Sequence, residues 1–73
     1  MSRGYQKMIV YNKLWNIMAE KGVTTYQLRE KCGIDSKTVR RLKANENMET
    51  KTLNKICAVL SCRIEDIMEY IPD

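Results

Sequence analysis

Residues 25–42, TYQLREKCGIDSKTVRRL, read as two short helices joined by a tight turn. The first helix carries Leu28 and Cys32 on one face. Gly33 follows where the chain must take a positive φ, which glycine reaches without steric cost. Ile34 turns an apolar side chain inward, and Asp35 or Ser36 offers an oxygen to cap the next helix. That second helix buries Val39 and Leu42, three residues apart, and leaves Lys37, Arg40, Arg41 and Lys43 outward. Residues 36–43 thus hold four positive charges and no negative one. A basic helix face held at an angle by a glycine-containing turn has the form of a helix-turn-helix reading head.

The chain has 73 residues, room for one domain and one small core. A chain of this size buries only about 60% of its unfolded surface, so a large active-site cleft is not expected. Thirteen Lys and Arg against nine Asp and Glu give a net charge of +4, which favours a polyanionic partner. The distribution is more telling. Residues 29–43 contain six bases (Arg29, Lys31, Lys37, Arg40, Arg41, Lys43) and two acids, whereas residues 61–73 contain one base and four acids. The molecule is electrically polar, with its positive pole on the proposed reading head.

The three cysteines, Cys32, Cys57 and Cys62, form no C-x-x-C pair, and the chain contains no histidine. That argues against a disulfide scaffold and against a zinc site, so no metal or cofactor is expected. Cys32 and Cys57 read as small buried apolar residues in a reducing cytosol; Cys62 has no evident place. With no signal peptide and no apolar run of ~18 residues, the expectation is a cytoplasmic protein that does not span a membrane, associated with the nucleoid if it binds DNA.

Outward from the reading head, residues 1–8 are expected to form a flexible arm and residues 9–73 the domain. Ile9, Val10 and Tyr11 are an apolar run that can begin a helix or pair as a strand. A helix over residues 12–21 buries Leu14, Ile17 and Met18, with Gly22 ending it and Trp15 beside the stripe as a lid on the core. Val23 enters the core, and Thr24 or Thr25 caps the next helix. Past the reading head, residues 44–49 (ANENME) mark a loop. A fourth helix over about 50–60, beginning at Thr50 or Glu49, buries Leu53, Ile56, Cys57 and Leu60. A fifth, over 64–70, places Ile64, Ile67, Met68 and Ile71 on one side, and Pro72 stops it. The expected architecture is all-α, five short helices around one core.

The major groove of B-DNA is about 12 Å wide and admits one α-helix. A helix beginning at Ser36 presents Ser36, Lys37, Arg40 and Arg41 to it, and Lys37 and Arg41, one turn apart, lie on one ridge. Arg41 is the first choice for a base contact, because Arg binds guanine O6 and N7 bidentately. Lys37 and Ser36 come second; Arg40 can reach a base edge or a phosphate. Thr25 offers a hydroxyl and backbone N–H groups to a phosphate oxygen. Lys43, Asn45 and Asn47 can hold the backbone on the other side, and Arg3 and Lys7 can touch it from the arm. Most surface helices mix charges of both signs, which is why this one reads as more than a solvated face.

The pattern resembles the Cro/repressor-type, or XRE-type, helix-turn-helix family. Lys21-Gly22-Val23-Thr24 matches the family's turn between its first two helices. Thr25 to Leu28, Gly33-Ile34-Asp35, and Val39 with Leu42 match its signature. Thr52-Leu53-Asn54-Lys55-Ile56-Cys57 with Leu60 match its fourth helix, and Ile64 to Met68 its short fifth. The likeness covers about residues 9–71, and the closing EYIPD is similar to a compact bacterial subgroup made of this domain alone. The resemblance implies a five-helix, lambda-repressor-like bundle that binds operator DNA, often as a dimer on a palindrome, and regulates transcription, here expected as a repressor. By position, it places base reading on Ser36, Lys37 and Arg41, with Arg40 on the DNA side and a phosphate contact at Thr25. Three features depart from the family. Arg29 stands where a small Ala usually packs between the two helices, so its stem snorkels outward or the packing angle differs. Asn45 stands near a position often filled by Gly. Lys and Arg replace the Gln of many members at the reading positions.

Catalysis is not expected: there is no Ser/His/Asp or Cys/His set and no phosphate-cradling glycine loop. The serious rival is a protein-interaction module of the same fold, such as an antitoxin or anti-repressor partner, with the acidic C-terminal segment as a dimer or partner face. RNA binding is disfavoured by the lack of exposed aromatic pairs for stacking single-stranded bases.

Overall fold

The computed structural model describes residues 8–72. The elements run β1 (Met8–Val10), α1 (Asn12–Lys21), α2 (Thr25–Cys32), α3 (Ser36–Lys43), α4 (Thr50–Leu60), a 3-10 turn (Ile64–Asp66) and β2 (Glu69–Ile71). The strands pair antiparallel, Met8 with Ile71, Ile9 with Tyr70 and Val10 with Glu69. Of the apolar run Ile9, Val10 and Tyr11, which can begin a helix or pair as a strand, Ile9 and Val10 lie in the strand and Tyr11 is the N-cap of α1. Met8, assigned to the arm, belongs to the strand; the rest of that arm, with Arg3 and Lys7, lies outside the described residues.

Among the described residues four α-helices, rather than five, surround the core. The segment expected as a fifth helix closes one 3-10 turn, in which Ile67 N–H donates to the Ile64 carbonyl at 3.1 Å. It then straightens to pair with β1. A seven-residue helix gains little from its own hydrogen bonds, whereas the strand also satisfies the backbone of Met8–Val10. The apolar residues separate accordingly. Ile67 is fully buried, Met68 and Ile71 are half-buried, and Ile64 is 45% exposed.

The core is one cluster drawn from every helix: Leu14 and Met18 from α1, Leu28 and Cys32 from α2, Leu42 from α3, and Leu53, Ile56 and Leu60 from α4, joined by Tyr11 and Ile67. Leu14, Leu28, Leu42, Ile56, Leu60 and Ile67 are enclosed almost completely. Trp15, Ile17, Val23 and Ile34 pack against its margin, as do Cys57 and Cys62, so Cys57 is only half-buried.

All four helices end on a residue with positive φ: Gly22 (68°), Gly33 (66°), Asn45 (58°) and Ser61 (51°). Each ending brings the next N–H back to the carbonyl five residues earlier. Val23 donates to Met18 at 2.9 Å, Ile34 to Arg29 at 3.1 Å, Glu46 to Arg41 at 2.9 Å and Cys62 to Cys57 at 3.1 Å. This six-to-one closure satisfies helix carbonyls that would otherwise be orphaned. Asn45 and Ser61 fill the left-handed position without being Gly, which Asn does at modest cost.

Candidate nucleic-acid interface

The two helices of the basic segment are each fixed at their start by a side chain. Thr24, rather than Thr25, caps α2: Gln27 N–H donates to Thr24 Oγ1 at 3.1 Å, and Thr24 N–H donates to Gln27 Oε1 at 3.0 Å. The reciprocal pair is a capping box. Asp35, rather than Ser36, caps α3, accepting from the Thr38 N–H at 2.8 Å and the Thr38 hydroxyl at 2.9 Å. Ser36 is thereby the first helical residue, exposed, with its hydroxyl not engaged in the cap.

The bonds from Thr38, backbone first and then hydroxyl, hold the Asp35 carboxyl below the usual carboxylate range. The folded-state pKa thus lies beneath the unfolded value of about 3.9. The cap's contribution is complete above that value and is lost as the pH falls through the folded-state pKa. Asp35→Asn keeps a capping oxygen and removes the titration. Thermal melts from pH 7 down to pH 3 are expected to fall less steeply for this variant than for the parent; parallel curves would show that the cap does not titrate with folding.

Along α3, Val39 and Leu42 point into the body. Lys37, Arg40, Arg41 and Lys43 are exposed and, with Ala44 and Glu46, line a shallow groove. The four predicted cations are therefore brought to one surface. Glu46, which sequence reasoning passed over, contributes the one acid. Thr25 is the first residue of α2 and half-buried. The capping box takes the Thr24 and Gln27 amides, so by helix geometry those of Thr25 and Tyr26 have no intrahelical partner.

Asn45 is differently employed. Its Oδ1 accepts the Tyr11 backbone N–H at 2.9 Å, and the Tyr11 hydroxyl donates to the Glu46 carbonyl at 2.9 Å. Through this oxygen the side chain ties the end of the basic helix to the start of α1. Its left-handed backbone accounts for the likeness to a Gly position. Asn47 lines a different hollow, beside Met8, Ile9 and Met48. Tyr11 was read only as part of an apolar run, and nothing local to it signals this role. Tyr11→Phe is expected to leave the ring in place and the Glu46 carbonyl without its donor, a loss of about 1–2 kcal/mol in urea unfolding. Unchanged stability would show that water replaces the hydroxyl.

Arg29, one of the departures, is half-buried, and its guanidinium carbon lies 5.9 Å from the centroid of the exposed Tyr26 ring, so its head rests on an aromatic face. Its buried Nε has no hydrogen-bond partner among the described residues.

A capped helix pair, a left-handed glycine between its members and a cationic second helix define a helix-turn-helix. The family model for the Cro/C1-type helix-turn-helix DNA-binding domain matches residues 13–73, and the chain belongs to that family. Among solved structures it is similar to the transcriptional regulator VanUg, with a TM-score of 0.84 and 35% identity over 90% of this chain and 88% of that one. No curated protein matches the chain. None of the described helices is long and apolar enough to cross a membrane.

Proposed function

We propose that the protein is a sequence-specific transcriptional regulator, a repressor in the cytoplasm, that lays α3 in the major groove of duplex DNA. The observation that carries this is the charge of α3: apart from Ser36, its exposed residues Lys37, Arg40, Arg41 and Lys43 are all cations, on the second helix of a helix-turn-helix. Arg41 and Lys37 reach base edges, with Ser36 beside them; Arg40 and Lys43 meet the flanking phosphates. The first-turn amides of α2, with the Thr25 hydroxyl, hold a phosphate on the opposite side. Asn45 supports the end of α3 through Tyr11 and keeps only its amide N–H groups for DNA.

Selection of sites from random duplex DNA at about 150 mM salt tests this reading. A short palindrome is expected, with half-sites about 34 Å apart if two copies bind. Affinity for the selected site should fall with salt, at a log–log slope near −4.5 for about five phosphate contacts. No recovered sequence from folded protein would favour a protein-interaction role for the same fold.

A further inference from the structure

The end of α4 differs from the other helix ends in what its closure brings together. In α1, the six-to-one bond apposes Val23 and Met18; in α4, it apposes Cys62 and Cys57. In this closure the two residues joined by the bond bring their side chains into contact, commonly as an apolar pair. Here both members are free thiols, both half-buried, and both pack against the margin of the same core. The direct backbone bond of 3.1 Å between the two residues brings their Cα atoms near one another, as closing a disulfide requires. Burial pushes the Cys62 thiol up, and the neighbouring Cys57 and Asp66 act in the same sense, while Lys21 opposes. The third cysteine, Cys32, lies within the core and is 5% exposed.

We infer that Cys57 and Cys62 form a site of reversible oxidation, closing to an intramolecular disulfide across the end of α4 when the protein meets a small-molecule disulfide. One cysteine loses its proton to solvent and attacks a sulfur of glutathione disulfide. The glutathione S–S bond breaks, a protein–glutathione S–S bond forms, and one glutathione leaves as its thiolate. The second cysteine, also deprotonated by solvent, attacks the protein sulfur of that mixed disulfide. The Cys57–Cys62 bond forms and the second glutathione departs. Two cysteine thiols are oxidised, and one glutathione disulfide is reduced to two thiols. The bond locks the turn at Ser61, a non-glycine residue in the left-handed region, and so fixes the path from α4 to the 3-10 turn. Cys57 also lines an apolar groove with Leu53, Ile64 and Met68, so the oxidation state changes one wall of that groove.

Trypsin isolates the pair, because Lys55 and Arg63 bound a peptide of residues 56–63 that contains both cysteines, while Cys32 falls in residues 32–37. The intact protein is incubated with glutathione disulfide, its remaining thiols are alkylated, and the digest is weighed. The expected result is a 56–63 peptide lighter than its reduced form by two hydrogens and resistant to alkylation, with Cys32 still alkylated. Cys62→Ser should stop at the mixed disulfide, carrying one glutathione on Cys57. The proposal is overturned if the native 56–63 peptide stays fully alkylatable, or carries glutathione without closing, while protein unfolded in urea does close. That outcome would show that the fold holds the thiols apart.

Discussion

Leu42→Ala is expected to destabilise the fold by roughly 2–5 kcal/mol, the cost of a buried Leu truncation that leaves a cavity. Leu42 has no exposed surface and belongs to the cluster that α1, α2 and α4 also build. It is the residue by which the basic helix enters that cluster; Val39, one turn earlier, is the other buried anchor of α3. A small domain has a total stability of only about 0.05–0.15 kcal/mol per residue, so the loss takes a large share of what exists. The melting temperature should drop by more than about 10 °C, followed by circular dichroism. Lys43→Ala, next in sequence but exposed, should melt with the parent. If Leu42→Ala also melts with the parent, α3 is not held by this anchor.

Arg41→Ala is expected to leave the melting temperature unchanged and to relax discrimination at one base pair by about 1–3 kcal/mol. The guanidinium fork matches the two acceptors of guanine, and lysine presents a point charge instead, so Arg41→Lys should recover affinity without recovering discrimination. Arg40→Ala, at a phosphate, should weaken all sequences alike and reduce the salt slope by about one. Competition between the selected duplex and single-base variants separates the two patterns. Uniform weakening by Arg41→Ala would move base reading to Lys37 and Ser36.

The helices were legible because each is written in local terms. Leu14 and Met18, Leu28 and Cys32, and Leu53, Ile56 and Leu60 recur at helical spacing, and Gly22 and Gly33 mark two ends. The basic face was legible for the same reason, since one turn of spacing decides that Lys37 and Arg41 share a side. The C-terminal segment was misread because Ile64, Ile67, Met68 and Ile71 fit a helical stripe as well as they fit a turn and a strand. Only the distant partner Met8–Val10 decides between these, and no local pattern reports it. The same limit hid the bond between Tyr11 and Asn45, a contact between residues remote in sequence and dependent on a left-handed backbone at Asn45. The caps were narrowed to adjacent alternatives, and geometry chose Thr24 and Asp35. The apposition of Cys57 and Cys62 was invisible because it depends on a left-handed backbone at Ser61, which a serine does not announce as a glycine would.

The strand pair has a consequence for how the chain reaches its native state. Helix closures join residues four or five apart, whereas Met8 meets Ile71 only after nearly all of the described chain has been gathered in. Closing so long a loop costs chain entropy that nearby contacts do not, and three residues a side return few hydrogen bonds against it. The helices are therefore expected to form and dock before the strands meet, with the pair the last element made and the first released. In native-state hydrogen exchange, the amides of these strands should lose protection through small local openings, while those of Leu28, Ile56 and Leu60 wait for the whole molecule to unfold.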